Sequence, residues 1–327
     1  GREVNVALRG AGAQGLVLME QALKVPGGRF RAVCDIWPYS QKYAAGRLKA
    51  YKHEAAVYTD YQDMLGKEKG LDAVLVATPD WMHAEHAIAC MKSGLHVYCE
   101  KAMSNDIEKS REMVRVSRET KKLLQIGHQR RSNPRYLHGR EKLLQEARLC
   151  GRVTHINAQW NRSTAASGPR GFPRNSPLDA ETLKKYGYDT MERFRDWRWF
   201  KKFGGGPVED IGSHQIDVFG WFLGDALPSR VMASGGRDSH PEFEWTDNVM
   251  AIYEFPTPQG LVRAFYQVLT TTSARGYFEA FMGTDGTLQI SEDAGQCRAY
   301  PEAHLPAVDG RHAWEPWVKK GYLLRDA

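Results

Sequence analysis

Residues 6–15 read VALRGAGAQG, an apolar run that ends in Gly10, Gly12 and Gly15 at GxGxxG spacing, ahead of a helical pattern. At the end of a strand this spacing suits a dinucleotide. The first glycine makes the tight turn, the second lets backbone approach a pyrophosphate, and the third lets the helix pack on the strand. The phosphates then rest on the helix N-terminus. A lone GxGxxG could also be a glycine-rich turn of an unrelated α/β protein. Here Asp35 ends the next apolar run, FRAVCD (30–35), at the distance where a carboxylate holds a ribose hydroxyl. Asp35 would repel a 2′-phosphate, which favours NAD over NADP, although Arg9 nearby in sequence weakens that preference.

Outward from this stretch the first 127 residues keep one rhythm. Short apolar runs at 3–9, 30–35, 55–58, 72–78, 95–100 and 123–128 alternate with helical patterns such as 81–94 and 106–122. Continuous apolar strands between helices imply a parallel sheet covered on both faces, a doubly wound domain over 1–127. After His128 the texture changes. A helical stretch (134–148) leads to an alternating strand, GRVTHINAQWNRS (151–163). A polar segment rich in Gly, Pro and Ser follows at 163–190, long enough without periodicity to be a functional loop or lid. From 228 onward the alternation in SRVMASGG, DNVMAIYEF, GLVRAFYQVLT, YFEAFMG and GTLQIS predicts a mostly antiparallel sheet with one exposed face. The fold class is therefore a Rossmann α/β domain followed by an α+β domain over 128–327. The last thirty or so residues show no pattern.

The 327 residues carry a net charge of +6, with 42% apolar and 26% charged residues. The basic residues are scattered among acids, which argues against nucleic acid and for a local anionic or sugar contact. No apolar run approaches the ~18 residues of a membrane span. Five cysteines without a CxxC pair read as buried free thiols of a reducing compartment. A cytoplasmic location is expected, with export behind a removed leader as the alternative.

Two further stretches carry chemistry. HVYCEKAMSND (96–106) sets Glu100 and Lys101 just past the fifth strand, where ligands of open α/β sheets bind. A lysine there can donate to a substrate hydroxyl or relay its proton, or simply pair in solvent with Glu100. GGGPVEDIGSHQID (204–217) puts Asp210, His214 and Asp217 on one helix face. That face could bind a metal, cap a helix or transfer a proton. HAEH (83–86) lacks the spacing that sets two histidines on one helix face, and His86 is expected at a helix surface. Trp197 and Trp199 flank Arg198 just before the glycines, where they could stack on a sugar ring or pack into the core.

These pieces occur together in one order. The GxGxxG start, ATPDWMHAEHAIACMKSGLHVYCEKA (77–102) and GGGPVEDIGSHQID (204–217) resemble the glucose–fructose oxidoreductase, inositol dehydrogenase and rhizopine-catabolism (Gfo/Idh/MocA) family. The resemblance covers the chain to about residue 225. It implies that Lys101, Asp210 and His214 are the catalytic group and that no metal is needed. It also implies cofactor contacts from Gly10, Gly12, Ala13, Gln14, Gly15, Asp35, Thr78, Pro79, His83, Glu100, Lys101 and Gln129. Substrate contacts would come from Lys101, Arg130, Trp160, Arg198, Asp210 and His214, with Gln129 and Arg130 drawn from GHQRR (127–131). Ala102 stands where the family carries proline after the Glu-Lys pair, a change that could shift Lys101.

The expected activity is hydride transfer between NAD, or NADP, and a secondary hydroxyl of a sugar, glycoside or cyclitol. His214 would take the hydroxyl proton and Lys101 would stabilise the developing alkoxide. Asp210 would orient His214 or bind an adjacent hydroxyl, and Asp217 would support from one turn beyond. The alternative is a glycosidase or epimerase that oxidises its substrate transiently on tightly bound NAD. The open second sheet is the expected surface of a dimer or tetramer.

Overall fold

The computed structural model describes residues 3–307 and 312–325. The chain forms two compact units, one from Gly1–Gly127 and Pro169–Gly205, the other from His128–Gly168 and Gly206–Ala327. The break after residue 127 lies where the sequence rhythm changes. Segment 169–205, expected within the second domain, instead packs with the first unit.

In the first unit, β1 (Val4–Arg9), β2 (Gly28–Cys34), β3 (Ala56–Tyr58), β4 (Ala73–Val76), β5 (His96–Cys99) and β6 (Leu124–Ile126) alternate with five helices. These are α1 (Ala13–Ala22), α2 (Pro38–Ala50), α3 (Tyr61–Lys67), α4 (Asp80–Lys92) and α5 (Ile107–Thr120). The strands are all parallel, in the order β3–β2–β1–β4–β5–β6. The central strands β1 and β4 are mostly apolar because both faces are covered, while the edge strands β3 and β6 stay partly exposed. Leu8 and Val33 join Met19, Phe30 and Leu48 in one core layer. Ala7, Val74 and Val76 join Cys90, Met91 and Met113 in the other. Helix α5 shows how local sequence sets a boundary: Asp106 accepts the Lys109 N–H (2.9 Å) at its start, and Lys121 (φ +56°) ends it. Strand order reverses between β1 and β4, so the ligand crevice lies outside their carboxyl ends.

The returning segment is built from turns and two short helices, Ala180–Lys185 and Met191–Arg195, capped by Asp179 and Thr190. Aromatic contacts hold it in place. Phe203 is fully buried and lies 5.5 Å from the Trp81 ring and 4.9 Å from Tyr188.

In the second unit, seven strands form one sheet: β7 (Val153–Asn161), β8 (Arg230–Gly236), β9 (Asn248–Thr257), β10 (Gly260–Leu269), β11 (Tyr277–Gly283), β12 (Gly286–Ile290) and β13 (Arg298–Pro301). Their order is β13–β12–β11–β7–β10–β9–β8, and only β7 and β10 run parallel. Strand β13 arises in the tail that showed no pattern. Helices α6 (Pro134–His138), which runs on π-helically over Gly139–Glu146, and α7 (Ser213–Phe222) supply core side chains. Tyr136, Phe219 and Phe222 pack with Phe255, Tyr266 and Phe281 of the strands. On β8 and β9, Met232 faces Ile252 across the ladder, and both are exposed, at 70% and 38%.

All five cysteines are free thiols, and four are buried. No helix of the described residues is long and apolar enough to cross a membrane.

Candidate active site

The glycine loop sets α1 directly against the sheet. Gly10 has φ +88°, and a Cβ there would lie 2.6 Å from the Ala77 carbonyl oxygen beyond β4. A Cβ on Gly15 would lie 1.9 Å from the carbonyl oxygen of Gly10. Gly12 is different: nothing lies within 4 Å of the position its Cβ would take. It caps α1 without a side-chain bond to the first N–H groups. Open space before helix donors with no capping side chain fits a phosphate.

Asp35 lies just beyond β2. Its Oδ2 accepts the Ala11 N–H (2.6 Å) and its Oδ1 accepts that of Trp37 (2.8 Å). Burial pushes this carboxyl's pKa up, while those N–H groups and Arg9 pull it down. Arg9 is itself buried, donating to the Cys34 carbonyl (3.4 Å) and meeting His86 Nε2 (3.1 Å). His86 is thus not at the helix surface as expected; it is 1% exposed. A guanidinium only donates, so Nε2 accepts and Nδ1 carries the hydrogen toward Thr78 Oγ1, 3.0 Å away.

Thr78 and Pro79 link β4 to α4, with Pro79 as the helix cap. His83, fully buried, reaches from Nε2 to the Thr78 carbonyl (2.7 Å) and from Nδ1 to the Ala102 carbonyl (2.6 Å). With one N–H, the neutral ring donates to one of these carbonyls and lies against the other, between the loop after β4 and the turn that carries Lys101. Burial pushes its pKa down to about 4 against the pull of the two carbonyls, and the charges of Lys101 and Arg198 add to the depression. The Lys101–Ala102 peptide is cis. Gln14 Nε2 donates to Glu100 Oε1 (3.0 Å), and the Lys101 N–H faces Glu100 Oε2 (3.3 Å). Arg198 lies over the Trp197 ring at 4.2 Å.

The second unit carries the other expected residues. Asp210 lies in the wide turn Val208–Gly212 that leads into α7, and His214 is the second residue of that helix. Gly212 lets the turn approach β10, because a Cβ there would lie 2.9 Å from the Tyr266 ring. The Trp160 ring lies 5.8 Å from His214 and stacks on Tyr277 at 4.6 Å. Gln215, next to His214, donates to the carbonyls of Gln159 (2.8 Å) and Phe278 (3.1 Å), fixing the start of α7 on β7 and β11. Arg130 is 1% exposed, pairs with Glu279 and with Glu292 (3.4 Å), and lies 5.2 Å over Trp160. Gln129 donates to Glu292 Oε1 at 3.2 Å. Asp217 is claimed by Arg131, which donates to it from Nε (2.9 Å) and Nη2 (2.8 Å). Among the described residues no group of three or more His, Cys, Asp or Glu is placed to hold a metal.

Two residues here escape a motif search, Tyr277 and Glu279. A signal for the second was present: in YFEAFMG a charged residue alternates with Tyr277 and Phe281 on the buried face.

Comparison with known proteins adds independent findings. A family model described as an oxidoreductase family with an NAD-binding Rossmann fold matches residues 4–128, and the GFO/IDH/MocA C-terminal domain matches 142–289. Inositol 2-dehydrogenase of Rubrobacter xylanophilus is 30% identical over 301 residues, covering 89% of this chain and 72% of that protein. 1,5-Anhydro-D-fructose reductase of Ensifer adhaerens is 26% identical over 249 residues, and the match spans 75% of this chain and 65% of the reductase. Among solved structures, the WlbA dehydrogenase of Chromobacterium violaceum, in complex with NADH and UDP-GlcNAcA, superposes with a TM-score of 0.71. It is 21% identical, with 98% of this chain and 82% of that one covered. The first unit is accordingly an NAD-binding Rossmann fold.

Proposed function

The chain belongs to the GFO/IDH/MocA family of oxidoreductases, and from that premise we propose that it transfers hydride between NAD and a secondary hydroxyl of a sugar, glycoside or cyclitol. The observation that carries the reading is Gly12, open to space before helix donors that no side chain caps, with Asp35 fixed nearby on Ala11 and Trp37. With NAD bound, its nicotinamide would supply the hydride acceptor or donor. Gly10, Gly12 and Gly15 would hold the pyrophosphate and Asp35 the adenosine ribose, with Ala13, Gln14, Thr78, Pro79, His83, Glu100 and Gln129 completing the cofactor's surroundings.

His214 would take or return the hydroxyl proton, since an imidazole can both accept and donate one. Lys101 would stabilise the alkoxide charge that develops on the substrate. Asp210 orients His214 or accepts from an adjacent hydroxyl. Support for a carbohydrate comes from the Trp160–Tyr277 stack beside His214, since a flat aromatic face suits the C–H face of a sugar ring. The inositol and anhydrofructose enzymes among its relatives point the same way. Exposed Met232 and Ile252 on the outer sheet face support self-association through that sheet.

The test is the absorbance of NADH during incubation of NAD with a panel of inositols, aldoses and glycosides. Turnover that disappears in His214→Asn and Lys101→Met supports the reading. No turnover with any of them, although NAD binds, overturns it. Hydrolysis or epimerisation of a sugar without net NADH would instead select the transient-oxidation alternative.

A further inference from the structure

Segment Pro169–Gly205 is fastened at three points beyond the carboxyl ends of the parallel sheet, two in loops and one in the first turn of α4. Trp37, beyond β2, donates from Nε1 to the Ser176 carbonyl at 2.7 Å. Trp81, beyond β4, donates to the Tyr188 hydroxyl at 3.2 Å. Asn105, beyond β5, donates to the Lys202 carbonyl at 3.2 Å. In the sheet, β1 with its glycine loop lies between β2 and β4. The ties at Trp37 and Trp81 thus flank β1 and its glycine loop on both sides.

The segment also brings charge to the β2 end. The Arg195 guanidinium lies 5.1 Å over the Trp37 ring, and its Nε donates to the Gly171 carbonyl at 3.4 Å. Phe194 meets the same ring edge-on at 5.8 Å. Asp35, whose carboxylate is bound to the Trp37 N–H, is one of the charges that act on Arg195. Between 169 and 205 the chain has nine Lys and Arg against five Asp and Glu, a balance that suits a pyrophosphate.

We propose that Pro169–Gly205 is a strap over the bound dinucleotide, and that Arg195 is a cofactor-binding residue at its adenosine end. The Trp37–Ser176 bond holds the strap shut on that side, so cofactor release requires it to open. This concerns NAD binding alone and stands apart from the identity of the substrate.

The test uses binding, not turnover. Equilibrium titrations with NADH, ADP-ribose and nicotinamide mononucleotide are combined with stopped-flow displacement of NADH by excess ADP-ribose. Arg195→Ala removes a charged donor and is expected to weaken NADH and ADP-ribose alike by about tenfold, with nicotinamide mononucleotide unchanged. Arg195→Lys keeps the charge without the fork and should fall between. Trp37→Phe keeps a ring but loses the Nε1 donor, and should speed NADH release by about fivefold. Melting without cofactor identifies any variant that fails to fold, and the remaining variants then decide. The proposal is overturned if NADH release is unchanged in Trp37→Phe. It is equally overturned if the Arg195 variants bind NADH and ADP-ribose like the parent, or weaken nicotinamide mononucleotide as much.

Discussion

The Arg130 guanidinium and the Glu279 carboxylate pair inside the second unit where neither meets solvent, at 1% and 0% side-chain exposure. Tyr136 donates its hydroxyl to the other Glu279 oxygen at 2.7 Å, and the guanidinium rests over the Tyr136, Trp160 and Tyr277 rings. Burial pushes the Glu279 carboxyl's pKa up, and Arg130 and Tyr136 pull it back. Two charges taken from water cost several kcal/mol, which their attraction offsets only with such added bonds. The pair underlies the Trp160–Tyr277 stack, so it fixes the surface beside His214.

Removing one member strands the other. Arg130→Met is expected to cost about 3–5 kcal/mol in urea unfolding, and the double variant Arg130→Met/Glu279→Leu to recover most of that. A loss below about 1 kcal/mol in Arg130→Met would show that the ion pair does not hold the core.

His86 makes stability depend on pH. Burial, with Arg9 second, holds its pKa well below the ordinary histidine value. The folded state therefore binds fewer protons than the unfolded chain once pH falls below about 6.5. Stability contributed by neutral His86 is fully present above that value and declines as pH drops, by at most about 1.4 kcal/mol per pH unit. His86→Asn should be less stable at neutral pH yet show a flatter profile between about pH 6.5 and 5. Parallel profiles for the two proteins would sink this assignment.

How much of this was legible in the sequence follows from the kind of signal each feature leaves. All six strands of the first sheet were visible as short apolar runs between helical patterns, continuous in the covered central strands and shorter in the partly exposed edge strands β3 and β6. The strands of the second sheet showed through alternation, whereas β13 is a four-residue edge strand, Arg298–Pro301, too short to establish a period. His86 misled because a histidine beside Glu85 looks solvent-facing, whereas its burial rests on a contact with Arg9 of a distant strand. Segment 163–190 showed no periodicity because the order of its part beyond residue 169 comes from contacts with Trp37 and Trp81. Glu279 was hidden by the same rule that revealed its strand: alternation says which face a residue is on, not that a carboxylate there has Arg130 waiting.

Asp247 organises the loop before β9. Its carboxylate accepts backbone N–H groups from Asp238 (2.9 Å), Ser239 (2.8 Å) and His240 (2.8 Å), and these outweigh burial to hold its pKa below the usual value. Asp247→Ala leaves those donors unpaired and should cost about 3 kcal/mol in chemical unfolding. A depressed carboxylate stabilises above its unfolded pKa, so the wild-type advantage over the variant should persist at neutral pH and fade below about pH 4. An advantage that grows on acidification would contradict the assignment.

The glycines of the β1 loop separate folding from cofactor binding. Gly15 cannot take a methyl group without displacing backbone, since its Cβ would lie 1.9 Å from the Gly10 carbonyl oxygen. Gly12 has φ −71°, which any residue adopts, and empty space where its Cβ would go. Gly15→Ala is therefore expected to lower stability by about 2 kcal/mol or more, with NADH affinity reduced only as far as the fold is lost. Gly12→Ala should melt like the parent and bind NADH at least about tenfold more weakly, because its methyl group occupies the approach to the α1 N–H groups. Melting curves and NADH titrations on the same samples decide the matter. If Gly12→Ala melts lower but binds NADH normally, Gly12 shapes the turn and the phosphate seat lies elsewhere along the crevice.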